Sequence, residues 1–291
     1  MGVDCGGPGD DGVDHQVPAL NYRLKGQASR IPVLMYHRVG EIRAEAEMRY
    51  CVSPDRFADH MRALSKSGWW ACAIDDFTAW LEGGPGLPAG AFLLTFDDGF
   101  LGIYRHVLPI LRQLGWPATV FLVSTLLGSQ DVWRRAESSE IHTYPLLGLP
   151  EINAMRPSGF AFHSHTRTHA ELTRLGDEAL YQEVAGSKSD LEALLGEPVA
   201  YIAYPFGRYD ERVSRMARAA GYRAAFSVES GFNRPGIDAY RIRRIDVYGT
   251  DTPTRLLRKV SFGVNEGSWA QSIRYYVGRL GARVGIARRA G

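Results

Sequence analysis

The apolar positions of this chain fall into short blocks of two kinds. Ile31-Pro32-Val33-Leu34-Met35-Tyr36-His37 is almost unbroken, and Ala91 to Phe96, Ala118 to Val123 and Val199 to Tyr204 repeat that character. Runs of this length predict strands buried on both faces, as in a parallel sheet. Between them the period changes. Phe57, Met61 and Leu64 recur at helical spacing behind Ser53-Pro54, a side-chain cap followed by the residue best tolerated at a first helical position. Val107 to Leu114, Glu178 to Leu195 (stopped by Gly196) and Glu211 to Ala220 predict further helices. Phe160 to Phe162, Tyr222 to Val228 and Tyr240 to Val247 predict further strands, and Gly83 to Gly90 a Gly/Pro loop. Strand and helix alternate, which predicts βα units around a parallel sheet. The pattern contains no internal repeat.

The residues that could carry chemistry stand where these strands end: His37, Asp97, Asp98, His165 and the turn at Pro205. In a βα barrel the carboxyl ends of all strands face one rim, where active sites are built. Leu94-Thr95-Phe96-Asp97-Asp98-Gly99 delivers two carboxylates at a turn. Carboxylates this close repel, so one is best held by a cation while the other titrates. Ser164-His165-Thr166-Arg167-Thr168-His169 sets two imidazoles four residues apart, a spacing expected to bring both rings to one face of a helical turn. One carboxylate and two imidazoles suit a divalent metal and leave one carboxylate for proton transfer, the inventory of metal-assisted hydrolysis. Thr166 stands where the zinc-protease motif has its catalytic Glu, so the base must come from elsewhere, and Asp97 can supply it. His163 is expected in the wall rather than among the ligands.

Composition narrows the function further. With 291 residues, 45% of them hydrophobic, the chain can bury a substantial core. A formal charge of +2 argues against dedicated nucleic-acid binding. Cys5, Cys51 and Cys72 form no CxxC motif and no disulfide framework. No apolar run approaches the ~18 residues of a membrane span. Residues Met1 to Val17 are Gly-rich and carry Asp4, Asp10, Asp11 and Asp14, with no basic start and no apolar centre. They predict a flexible tail rather than a secretion signal, and hence a cytoplasmic enzyme.

Thr95-Phe96-Asp97-Asp98-Gly99 and Ser164-His165-Thr166-Arg167-Thr168-His169, with Ala203-Tyr204-Pro205-Phe206-Gly207 as a third motif, resemble the polysaccharide deacetylases, carbohydrate esterase family four (the NodB homology domain). The resemblance runs from about Ile31 to Tyr248. It implies a distorted (β/α)7 barrel that removes N-acetyl groups from amino sugars in a polysaccharide or its lipid-linked precursor. It further implies Asp98, His165 and His169 as ligands of a divalent metal, zinc first. Asp97 becomes the general base, and the Phe206 backbone N–H an oxyanion donor.

Two departures matter. Ala203 replaces the Arg that usually opens the third motif, and Arg241, Arg243 or Arg244 could supply the cation, with Arg244 favoured. No histidine follows His169, so the late Leu-x-His motif is missing. His37 is expected to replace it as general acid. The subgroup that deacetylates poly-N-acetylglucosamine carries a similar early Met-Tyr-His segment. Two other readings share these residues: a hydrolase of a small non-sugar amide, and a catalytically weak barrel that binds glycan.

The expected division is a tail over 1–29, a catalytic domain over 30–250 and a C-terminal extension over 251–291. In the extension, Trp269, Ile273, Tyr276, Val277, Leu280 and Val284 form an apolar stripe among arginines. That basic amphipathic helix would suit peripheral contact with the inner membrane face or a membrane-bound synthase. The stretch from Leu126 to Pro157, with Trp133 and Tyr144, lies between two site-bearing strands. It is expected to shape the sugar groove, together with Trp116, Tyr204 and Tyr209.

Overall fold

The computed structural model describes residues 26–133 and 142–266. Strand β1 (Val33–Tyr36) leads into a small parallel pair, β2 (Arg38–Val39) and β3 (Cys51–Val52), that sits apart from the main sheet. The main sheet adds β4 (Trp70–Cys72), β5 (Ala91–Phe96), β6 (Ala118–Leu122), β7 (Phe160–Ser164), β8 (Tyr201–Ala203), β9 (Ala224–Phe226) and β10 (Ile245–Asp246). Its order is β10-β1-β5-β6-β7-β8-β9, with every pairing parallel. Strand β4 is wedged beside the first half of β5, on the edge that β6 takes over farther along.

One short segment closes the sheet on itself. The Ile242 N–H donates to the Ala225 carbonyl, and its own carbonyl accepts from the Ser227 N–H. Three residues later the same segment becomes β10 and pairs with β1. Seven strands therefore surround the barrel, the distorted (β/α)7 architecture that the motifs implied.

Side chains alternate across a strand, and here the alternation separates two cores. Leu34, Tyr36, Leu94, Phe96, Val120, Leu122, Phe162 and Ile202 face outward. There they meet Phe57, Met61 and Leu64 of α1 (Pro54–Lys66). Val33, Leu93, Phe121, Tyr201, Ala203, Ala224 and Phe226 face inward. Helix α2 (Ile74–Leu81) closes the floor, with Ile74, Phe77, Trp80 and Leu81 packed into the inner core. The Tyr201 hydroxyl fastens this plug through Thr78 at 2.8 Å and Asp75 at 2.6 Å. The outer layer continues through α3 (Leu108–Leu114), α4 (Leu149–Met155), α5 (Asp177–Tyr181), α6 (Ser187–Leu195), α7 (Glu211–Ala219) and α8 (Pro253–Phe262).

Several expectations change in detail. The long helix over 178–195 is α5 and α6 joined by a π-helical segment over 182–186, with Gly196 as its left-handed cap. The expected strand over 240–247 shrinks to β10, because Asp238 caps a 3-10 turn at Ala239–Arg241 instead. Helix α8 lies within the expected C-terminal extension, yet Leu256 and Val260 pack in the outer core with α1. The boundary expected at 250 therefore falls inside the barrel body. Residues 27 and 28 of the expected tail pair with Leu87 and Pro88. The amphipathic stretch over 268–289 lies outside the described residues, as do residues 1–25 of the tail.

Candidate active site

The site begins with how β5 ends. Leu93, Thr95 and Asp97 share the inward face, so an extended chain would turn Asp98 away from the cavity. Instead Asp98 and Gly99 take left-handed backbone angles, φ 72° and 74°. That turn swings Asp98 back, and both carboxylates line one pocket. Gly99 is required there, since a Cβ would stand 2.7 Å from Leu122.

His165 follows directly after β7, and His169 lies on the succeeding loop. The helical turn expected for this pair is absent: Thr166 and His169 have φ of 66° and 64°, which no helix accommodates. The loop is shaped by its own side chains. The Ser164 hydroxyl accepts from the Thr166 N–H at 3.1 Å, and the Thr166 hydroxyl accepts from the His169 N–H at 3.2 Å. Among the described residues, the non-glycines with positive φ are Asp98, Thr166, His169 and Phe206. All four belong to this site. Such conformations cost about 1–3 kcal/mol each and persist where the surroundings over-determine them.

The loop nevertheless places both imidazoles on Asp98. Its Oδ1 lies 3.4 Å from the Nε2 of His165 and 3.4 Å from the Nε2 of His169. One ligand atom from each of the three residues lies within 4.8 Å of the others. His165 Nδ1 lies 2.9 Å from the Ala203 carbonyl, which fixes the tautomer and turns Nε2 toward Asp98. The buried Asp98 Oδ1 has no hydrogen-bond partner among the described residues. An orphaned carboxylate oxygen between two imidazole nitrogens is a donor set of the kind that binds divalent cations. These residues fit a divalent cation.

The charges agree. Burial pushes the Asp98 carboxyl up, but His165, His169 and His37 outweigh it and hold the group far below the usual range. Burial lowers His169 to about 4, against the pull of Asp98. Burial also works against a charged His165, yet Asp97 and Asp98 together raise it. Two carboxylates around one imidazole make the position attractive to positive charge.

Asp97 is held from the other side. Arg244 is fully buried, and its guanidinium meets Asp97 Oδ1 at 2.6 Å while its Nε donates to the Ser227 carbonyl at 2.8 Å. Burial pushes the Asp97 carboxyl up, but Arg244, with His165 and His37, outweighs it and lowers the group. Oδ2 is left facing the cluster, 4.0 Å from His165 Nε2. Arg241 and Arg243 point to solvent, and Arg241 pairs with Glu229. Ala203 is buried in the inner core, so the cation beside Asp97 comes from the closing segment rather than from β8.

His37, just past β1, lines the same pocket with its ring 5.1 Å from Tyr50. Phe206 (φ 58°) and Gly207 (φ 65°) repeat the turn of Asp98 and Gly99 at the end of β8. The Phe206 ring is half exposed and stands edge-on 4.8 Å from His169. His163 lies below the cluster against Tyr201, at 4.7 Å between ring centres.

Trp133 stacks on His169 at 4.7 Å. Farther along the same wall, Tyr144 packs under the Arg38 guanidinium at 3.6 Å, and Glu47 accepts from both Arg38 and Tyr144. The pocket these groups enclose is about 270 Å³.

Sequence reasoning missed three acidic residues. Asp246 lines the pocket, pinned by Asn265 at 2.8 Å and Tyr248 at 3.1 Å. Its two-residue spacing from Arg244 was a usable signal. Glu47 and Glu183, which organise the pocket wall and the histidine loop, lie in no motif.

Comparison with known proteins agrees with this geometry. Residues 86–225 match the polysaccharide deacetylase domain family. The Bacillus subtilis protein YxkH, which carries a polysaccharide deacetylase name, is 26% identical over 219 residues, covering 75% of this chain and 72% of its own length. The poly-beta-1,6-N-acetyl-D-glucosamine N-deacetylase of Staphylococcus epidermidis is 23% identical over 246 residues, covering 77% of this chain and 81% of its own. The structure of IcaB from Ammonifex degensii superposes with a TM-score of 0.66 at 25% identity, over 83% of this chain and 99% of that one. Motifs, barrel and domain match converge: residues 86–225 carry a polysaccharide deacetylase domain (carbohydrate esterase family 4), the domain of a hydrolase of carbon–nitrogen bonds other than peptide bonds.

Proposed function

We propose that this chain removes acetyl groups from N-acetylglucosamine units of a polysaccharide or of its lipid-linked precursor, with a zinc-class cation held by Asp98, His165 and His169. One observation carries the reading: a buried Asp/His/His donor set stands beside a second, Arg-held carboxylate in a single pocket. When bound, the cation supplies Lewis-acid polarisation of the amide carbonyl and acidifies a water. The remaining steps belong to the chain's own residues. Arg244 occupies Asp97 Oδ1 and keeps that carboxylate ionised, so Oδ2 is the atom that takes the proton from the attacking water. The Phe206 backbone N–H, presented by the left-handed turn after β8, supports the oxyanion. His37, entering from β1, protonates the departing amine, which is otherwise a poor leaving group. The products are acetate and a free amino sugar.

The pocket volume is just under the about 300–1,000 Å³ of small-molecule sites. It suits one sugar ring with its acetyl arm, leaving the rest of a glycan outside. The name of the Staphylococcus epidermidis relative supports a β-1,6-linked polymer as the substrate.

Acetate release from β-1,6-linked N-acetylglucosamine oligomers, and from a lipid-linked N-acetylated saccharide, tests the reading. Asp97→Asn is expected to abolish release from whichever substrate is used. His37→Ala is expected to lower it by about 10²–10⁴-fold, the usual worth of a general acid. Full activity in Asp97→Asn would remove the assigned base. Release from a small acetamide but from neither saccharide would move the substrate away from glycans.

A further inference from the structure

We infer that Glu183 is a positioning residue that holds the His165–His169 loop in its ligating shape before any cation binds; the inference rests on the metal reading above. Glu183 lies on the π-helical segment between α5 and α6 and is buried, at 8% exposure. Its Oε2 accepts the backbone N–H groups of Arg167 and Thr168, at 2.9 Å each, and its Oε1 accepts the Thr168 hydroxyl at 2.5 Å. Three charge-assisted bonds therefore converge on one short loop. The opposite side of the loop is also clamped. The Ser124 N–H donates to the Thr166 carbonyl at 3.1 Å, and the Thr125 N–H and hydroxyl donate to the Arg167 carbonyl at 3.1 and 2.6 Å. Glu183 takes the N–H side and Ser124-Thr125 the carbonyl side.

The two histidines depend on this clamp unequally. His165 leaves a strand, and its Nδ1 is fixed by the Ala203 carbonyl. His169 has neither support: its Nδ1 has no hydrogen-bond partner among the described residues, and its ring is held by stacking on Trp133 and edge contact with Phe206. Its aim at Asp98 is set by its backbone, which is left-handed and directly follows Thr168, the residue Glu183 grips through two bonds. The π-helical segment supports the same assignment. A π turn inserts a residue into a helix and recurs at functional sites. This one keeps Val184 and Leu191 in the outer core while Glu183 reaches the rim.

The test uses the full chain stripped of metal. Zinc affinity is measured by competition with a chromophoric chelator, and amide hydrogen exchange over 164–170 is followed in the same samples. In Glu183→Ala, exchange at 166–169 is expected to quicken, and the zinc Kd to rise about 10–100-fold, the usual cost of losing a partner behind a ligand. Glu183→Gln keeps a carbonyl for the two N–H groups and should lie closer to wild type in both readings. Unchanged exchange and affinity in a folded Glu183→Ala would overturn the inference. So would exchange that quickens uniformly along the chain, which marks a general loss of stability. Should Glu183→Ala not fold, Thr168→Val removes the Oε1 bond alone and should give the same two changes at smaller size. A wild-type chain that binds no zinc would defeat the metal reading, while the exchange at 166–169 would still decide the role of Glu183.

Discussion

Arg244 shows how a site tolerates a departure at one position. The third motif carries Ala203, buried in the inner core, where the family usually has Arg. The guanidinium arrives instead from the neighbouring closing segment and meets the same carboxylate. Removing it has two consequences. Breaking a buried ion pair leaves an uncompensated charge and costs about 3–5 kcal/mol, so Arg244→Met should lower the denaturation midpoint accordingly. The second is a pH effect. Arg244 opposes burial and lowers Asp97, so the intact carboxyl stays ionised into acid. Without the guanidinium the largest influence opposing burial is gone, so the carboxyl rises and the base form is lost at higher pH. The acidic limb of the kcat/KM profile should therefore move to higher pH. An unmoved limb would detach Arg244 from Asp97. At this scale the sequence was legible where chemistry is contiguous: Asp97-Asp98 and His165–His169 stand in recognisable spacing at strand ends. Asp246 was readable only through its two-residue spacing from Arg244, and Glu47 and Glu183 were not legible, because a single acidic residue on a turn or a helix carries no local signature of what the fold places against it.

At the scale of elements, the buried strands and the cap-marked helix α1 were readable because periodicity and capping chemistry are local. Ser53 accepts the Arg56 N–H at 3.3 Å, as the Ser-Pro signal implies. Helix α8 carries the same signal in Thr252-Pro253, closed by left-handed Gly263, yet a basic, polar surface masks its buried Leu256 and Val260. Helix α2 is short and has no side-chain cap. It exists because tertiary burial favours it, and propensity does not reveal it. The histidine loop fails the helical expectation for a related reason: spacing by four residues is a property of the chain, while ring convergence is a property of the pocket. Helix α2 gives an element-scale prediction. Trp80 is buried in the plug on the barrel floor, away from the catalytic rim. Trp80→Ala should cost about 3–5 kcal/mol of stability while leaving kcat unchanged at a temperature where the variant stays folded. A lost kcat in a folded variant would mean that floor and rim are coupled.

For the whole molecule, the closed barrel is what makes a permuted site workable. A ring of strands has no first or last member, so His37 from β1 reaches the pocket together with Asp97, His165 and Phe206, while buried Arg244 from the segment beside β1 holds Asp97. The division of labour follows the strand direction: apolar packing and the α2 plug at one end, strained turns and ionisable groups at the other. That this rim is a one-cation amide hydrolase can be tested without any variant. The chain is stripped with a chelator and titrated with zinc while acetate release from β-1,6-linked N-acetylglucosamine oligomers is recorded. Negligible release is expected from the stripped chain, rising to a plateau at one equivalent of zinc. Release that is undiminished by stripping, or no release at any zinc level from a chain that binds one equivalent, would contradict it.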